Sequence, residues 1–142
     1  MTISTLIDSL ATSAGSRRSL ELAVAAARTA EENNGRDVIV LDMRGLKQLF
    51  DFFLVATGSS RRQMHAMSEE IDHRLEDDLN DKRMGIEGYA ASRWILLDYG
   101  TVVVHLFENE TREYFSLESL WGESERVDWE QAESELRAAA DG

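Results

Sequence analysis

Residues 94–107 read Trp94-Ile95-Leu96-Leu97-Asp98-Tyr99-Gly100-Thr101-Val102-Val103-Val104-His105-Leu106-Phe107. Two runs rich in branched aliphatics flank Asp98-Tyr99-Gly100, whose residue types suit a tight turn, and the pattern predicts a β-hairpin. Side chains alternate along a strand, so Val102, Val104 and Leu106 share one face, and Val103, His105 and Phe107 share the other. Both faces carry apolar groups. Either the strand is covered on both sides within the domain, or one face is kept for another macromolecule. Trp94, Tyr99 and Phe107 stand at the start, the turn and the end of the hairpin, where aromatic groups can anchor an interface. Tyr99 is expected at the surface because a turn residue is hard to bury. Trp94 and Phe107 suit an interface and a core equally well.

Before the hairpin, Leu20, Ala23, Val24, Ala27 and Ala30 follow helical spacing, and Asn33-Asn34-Gly35 ends that helix. A short strand is expected over Val38 to Leu41. A second, over Phe50 to Thr57, is almost continuously apolar and reads as central. Gly58-Ser59-Ser60 breaks it, and Ser60 with Gln63 makes a capping-box pattern. The helix that follows has the apolar seam Met64, Met67, Ile71 and Leu75 and a strongly acidic opposite face. Arg83 to Glu87 suits a short strand ending at Glu87-Gly88, and Tyr114, Leu117 and Trp121 predict a short closing helix. Three regions result: a flexible leader over 1–18 with a helical turn near Ile3 to Leu10, a folded domain over 19–122, and an acidic tail over 123–142. In the tail, Asp128 with Gln131 resembles a helix start, and Trp129, Ala132, Leu136 and Ala140 form a thin stripe that predicts a marginal, detachable helix. The element order predicts an α/β fold with a single mixed sheet packed with helices.

The chain has 142 residues, enough for one domain with its own core, and no cysteine, which excludes disulfides, thiol catalysis and cysteine-based zinc sites. No apolar run approaches the ~20 residues of a membrane helix, so a soluble, cytoplasmic protein is expected. Fifteen basic and 27 acidic residues give a net charge of −12. Such a surface repels phosphate backbones and favours a basic protein partner. Basic pairs occur at Arg17-Arg18, Arg61-Arg62 and Lys82-Arg83, scattered among acids.

An enzyme reading begins at Gly58-Ser59-Ser60, because a strand, a Gly-Ser turn and a helix N-terminus can hold a phosphate on backbone amides. Nucleotidyltransferases also need two carboxylates two residues apart on a strand to bind Mg²⁺. Glu70 and Asp72 have the spacing but sit on a helix; Glu108 and Glu110 lie at a polar strand end. The capping box alone accounts for the turn. His65 and His73 are eight apart on one helix and cannot share an ion, and His105 reads as a hydrogen-bonded structural histidine. No catalytic residue, metal or cofactor is therefore expected.

Five segments together resemble the ribosomal silencing factors of the Iojap type. They are Asp51 to Gln63, Glu87-Gly88, Trp94 to Phe107, Arg112 with Tyr114, and Leu117 to Trp121, in that order and spacing over roughly residues 19–122. The resemblance implies a domain related in fold to nucleotidyltransferases but without their carboxylates. It further implies a non-catalytic translation repressor that binds the large ribosomal subunit through its ribosomal protein number fourteen. Joining of the small subunit is then blocked sterically under nutrient limitation. Carried over from the family's hairpin region, the partner-binding residues are Trp94, Asp98, Tyr99 and Phe107, with Glu87 and His105 beside them; Arg61-Arg62 or Lys82-Arg83 are candidates for a minor contact to ribosomal RNA. A second copy of the chain is a further candidate partner. The tail lies beyond the shared segments and is open to three roles: an autoinhibitory cover, a mask for a homodimer surface, or a solubilising extension. The other functional class is a nucleotide-binding or nucleotidyltransferase-like enzyme built on Gly58-Ser59.

Overall fold

The computed structural model describes residues 5–45, 49–109 and 124–141. In chain order the elements are α1 (Leu6–Leu10), α2 (Ala14–Glu32), β1 (Arg36–Asp42), β2 (Phe52–Gly58), α3 (Arg61–His73), a π-helical turn (Arg74–Asp78), β3 (Gly85–Glu87), β4 (Trp94–Asp98), β5 (Val102–Glu108), β6 (Glu125–Val127) and α4 (Trp129–Asp141). The helix expected over Tyr114 to Trp121 falls outside the described residues. Among the described residues, no helix is long and apolar enough to cross a membrane.

The six strands form one sheet in the order β3-β4-β5-β2-β1-β6. Only β2 and β5 are parallel, running from Phe52 opposite Val102 to Gly58 opposite Glu108; the other pairs are antiparallel, so the sheet is mixed as expected. Every residue of β2 is buried, which is why its sequence shows no alternation. The expected hairpin forms, and its strands pair with Trp94 opposite Phe107 and Asp98 opposite Val103. Gly100 takes φ +89° in the turn, a conformation that glycine adopts without steric cost.

Val102, Val104 and Leu106 of β5 join the main core beneath α2 and α3, with Leu20, Ala27, Met64 and Ile71. On the other face of the sheet, Val103 and Phe107 join Ile39, Leu41, Met43, Phe53 and Val55 in a second cluster. All six residues from Val102 to Phe107 are buried. Of the two possibilities posed by its two-sided apolar pattern, β5 therefore takes the first: it is covered on both faces.

Helix α2 starts at Ala14 rather than near residue 19, because Ser13 caps it on the backbone N–H of Ser16. Buried Ser16 and Ser19 hide these turns from a reading based on apolar spacing, and the Ser19 hydroxyl donates to Asp51 at 2.7 Å. Thr5 and Asp8 make a capping box for α1, the helical turn expected within the leader.

The acidic tail contributes a strand that was not anticipated. In β6, Val127 pairs with Val40 and Glu125 with Asp42, closing the β1 edge. Helix α4 then docks on α2: Arg28 donates from Nη2 to Glu133 at 2.7 Å, and its guanidinium lies 5.0 Å over the Trp129 ring. The Trp129 indole N–H reaches the Val38 carbonyl at 3.3 Å, and Glu135 accepts the Ile7 amide at 3.0 Å. The helix expected to be marginal and detachable is thus bound by a buried aromatic and an ion pair. It sits at the edge opposite the hairpin, over α2, so in this structure it does not cover Trp94.

Candidate docking surface

The path into β4 depends on Gly88 and Ser92. Gly88 has φ +77°, and a Cβ added there would lie 1.9 Å from the Trp94 carbonyl oxygen, so only glycine fits. Ser92 is buried at φ 59° and its hydroxyl donates to the Tyr89 carbonyl at 2.9 Å. His65 Nε2 lies 2.5 Å from the Ser92 Oγ and 2.7 Å from the Tyr89 carbonyl, with its ring stacked on Tyr89 at 4.0 Å. Facing two acceptors, Nε2 carries the ring proton and acts as a donor, not as a base for the serine. The loop is thereby stapled to α3.

Trp94 emerges on the sheet face away from α2 and α3. Its ring lies 4.7 Å from that of Phe107, its indole N–H donates to His105 Nδ1 at 3.1 Å, and 37 % of the residue is exposed. Phe107 is fully buried and His105 nearly so. These two residues support Trp94 from below and do not present themselves to a partner. Accepting from the indole requires an unprotonated Nδ1, and burial pushes the His105 pKa from 6.5 down to about 4, so the ring is neutral at pH 7.

That shift has a consequence for stability. The folded-state pKa lies below the unfolded one, so the contribution of neutral His105 is complete above about pH 6.5 and is lost as pH falls towards 4. The total is on the order of 3 kcal/mol. Urea unfolding at pH 7.0 and 4.5 is expected to show a fall in stability that His105→Asn reduces by roughly this amount; an identical pH dependence in the two proteins would refute it.

Glu87 is exposed on the edge strand β3, opposite Leu96. Asp98 is half-buried, its Oδ1 accepting the Gly100 amide at 2.8 Å, so part of its role is to shape the turn. Tyr99 corrects the expectation of an exposed turn tip: it is only 4 % exposed, and its hydroxyl donates to Asp72 at 2.7 Å. Burial, reinforced by the Asp72 carboxylate, holds its phenol well above the usual range. The turn lies against α3, and no signal within the hairpin announces a partner 27 residues earlier in the chain. Leu96, half-buried between Trp94 and Asp98, lies on the same face as Trp94 and is a lining residue that was not among the sequence candidates.

The Gly58-Ser59-Ser60 turn has a different occupant from a phosphate. Gln63 Oε1 accepts both the Ser59 backbone N–H and its hydroxyl, at 2.5 and 2.7 Å, while Ser60 Oγ accepts the Gln63 N–H at 3.1 Å. A Cβ at Gly58 would lie 2.5 Å from Met64 Sδ, so the glycine is required by strand–helix packing. Glu108 closes β5 with Arg93 Nε 3.9 Å away, and Glu110 falls outside the described residues. Among the described residues, no group of three His, Asp or Glu is placed to hold a metal ion. His73 contacts Asp77, one helical turn on.

Fold and site together define an α/β domain that displays a supported tryptophan beside an edge strand. Residues 16–141 match the family model described as ribosomal silencing factor during starvation. The ribosomal silencing factor RsfS of Bacillus subtilis is 38 % identical over 104 residues, covering 72 % of this chain and 86 % of that protein. A crystal structure of protein CV0518 from Chromobacterium violaceum superposes with a TM-score of 0.68 at 36 % identity, covering 72 % of this chain and 84 % of that one. The mouse mitochondrial assembly of ribosomal large subunit protein 1 is 34 % identical over 92 residues, covering 63 % of this chain and 40 % of its own length. The chain belongs to the ribosomal silencing factor family. The family match continues through β6 and α4, beyond residue 122, where the sequence resemblance was drawn.

Proposed function

We propose that this protein represses translation without catalysing a reaction, by binding the large ribosomal subunit through ribosomal protein number fourteen and sterically blocking the small subunit under nutrient limitation. The observation that carries the reading is Trp94: an aromatic side chain more than one third exposed, buttressed by Phe107 and His105, next to the edge strand β3. Pre-organised aromatic groups of this kind anchor interfaces because little side-chain freedom is lost on binding. Glu87 and Leu96 lie beside it, Asp98 stands on the same face at the far end of β4, and the net charge of −12 suits attraction to a basic ribosomal protein. The name of the mouse relative, which refers to the large ribosomal subunit, agrees in direction.

Purified protein mixed with separated subunits, at a magnesium level that favours joining, is expected to sediment with the large subunit and to reduce joined ribosomes. Folded protein that migrates with neither subunit would refute the proposal. The nucleotide-enzyme alternative requires binding of a nucleoside triphosphate with Mg²⁺ at a turn whose Ser59 amide is already engaged by Gln63.

A further inference from the structure

The end of the sheet where β2 and β5 finish gathers arginines from three separated stretches of the chain. Arg36 opens β1 opposite Thr57, the next-to-last residue of β2. Arg61 and Arg62 begin α3, three residues after β2 ends. Arg93 directly precedes Trp94, and its carbonyl accepts the Glu108 amide at the end of β5, at 3.0 Å. The side-chain amide of Gln63 donates to the Asn34 and Asn33 carbonyls at 2.6 and 3.2 Å, which holds the first turn of α3 against the corner that leads into Arg36.

All four arginines are exposed. Elsewhere Arg17, Arg28, Arg44, Arg74, Arg83 and Arg137 each lie on a carboxylate. Among the described residues no ion pair engages Arg36, Arg61 or Arg62, and the Arg93–Glu108 contact is long, at 3.9 Å, with the arginine side chain 78 % exposed. Among the described residues, Asp37 follows Arg36 in the chain and Glu108 faces Arg93. The N-terminal end of α3 adds partial positive charge. A chain of net charge −12 thus gathers four exposed arginines at one end of its sheet, and Arg93 adjoins Trp94.

We propose that Arg36, Arg61, Arg62 and Arg93 bind the phosphodiester backbone of ribosomal RNA beside the protein that docks on Trp94. The inference rests on the large-subunit reading above and names a second component of that partner. Guanidinium groups bind phosphate oxygens in bidentate fashion, and several on one surface suit a polyanion better than a single carboxylate. Lys82-Arg83 does not take part: Arg83 lies 3.4 Å from Asp72, and the pair precedes β3 at the Asp98 end of the sheet, the opposite end.

The test measures binding to isolated large subunits and to purified ribosomal protein number fourteen across a salt series. It compares wild type, Arg61→Ala/Arg62→Ala, Arg36→Ala/Arg93→Ala, and Lys82→Ala as control. Each double variant is expected to lose on the order of ten-fold in subunit affinity and to lower the salt slope by about 2, with binding to the isolated protein and thermal unfolding unchanged. Lys82→Ala is expected to be silent. Double variants that bind subunits like wild type, with the same salt slope, would overturn the RNA contact while leaving the silencing reading intact. An equal loss towards the isolated ribosomal protein would overturn it as well, by assigning the arginines to a protein contact. Wild type that binds no subunit removes the silencing reading itself, and this inference with it.

Discussion

Trp94→Ala is expected to weaken binding to the large subunit by about 2–4 kcal/mol, roughly 30- to 1,000-fold, while the domain stays folded. The size follows from what the indole does. It is exposed enough to enter a pocket on a partner, yet its ring rests on Phe107 and its N–H is held by His105, so it meets that partner already oriented. Deleting it removes, among the described residues, the largest apolar group beside the β3 edge and takes the indole donor from His105 Nδ1. The cost to folding is smaller, because more than one third of the residue already faces solvent. Affinity measured with purified subunits, alongside thermal unfolding of the same sample, separates the two effects. Unchanged affinity in a folded variant would remove Trp94 from the interface.

Tyr99→Ala is expected to behave in the opposite way: a loss of about 3–5 kcal/mol in stability, with any binding defect secondary to unfolding. The ring is buried against α3, and its hydroxyl is the donor to Asp72 Oδ1, while Arg83 approaches Asp72 Oδ2 at 3.4 Å. Removing the phenol opens a cavity and strips one partner from a carboxylate whose side chain is only 20 % exposed. Tyr99→Phe keeps the ring, so it should cost about 1 kcal/mol and leave subunit binding intact. Urea unfolding of both variants gives the answer. A Tyr99→Ala protein as stable as wild type but unable to bind subunits would return this residue to the interface. Trp94 and Tyr99, five residues apart on one hairpin, thus have opposite expected phenotypes.

The hairpin, the two apolar faces of β5, the central position of β2 and the Ser60 cap were all legible in the residues. Each rests on alternation, turn chemistry or capping, interactions between groups only a few positions apart, so the local pattern carries the whole signal. The family was legible too, because short segments recur in order. Other features depended on contacts that span the chain. Tyr99 finds Asp72 27 residues away, Arg28 finds Glu133 across 105, and Ile7 finds Glu135 across 128. Those pairings bury the turn tip, dock the acidic tail as β6 and α4, and leave Trp94 as the exposed aromatic of the hairpin. The sheet order, which brings Arg36, Arg61, Arg62 and Arg93 to one end, belongs with them. A side chain's sequence neighbours indicate which face of a strand or helix it occupies; what packs against that face depends on how distant elements meet, and on the charges and apolar groups they bring to the contact.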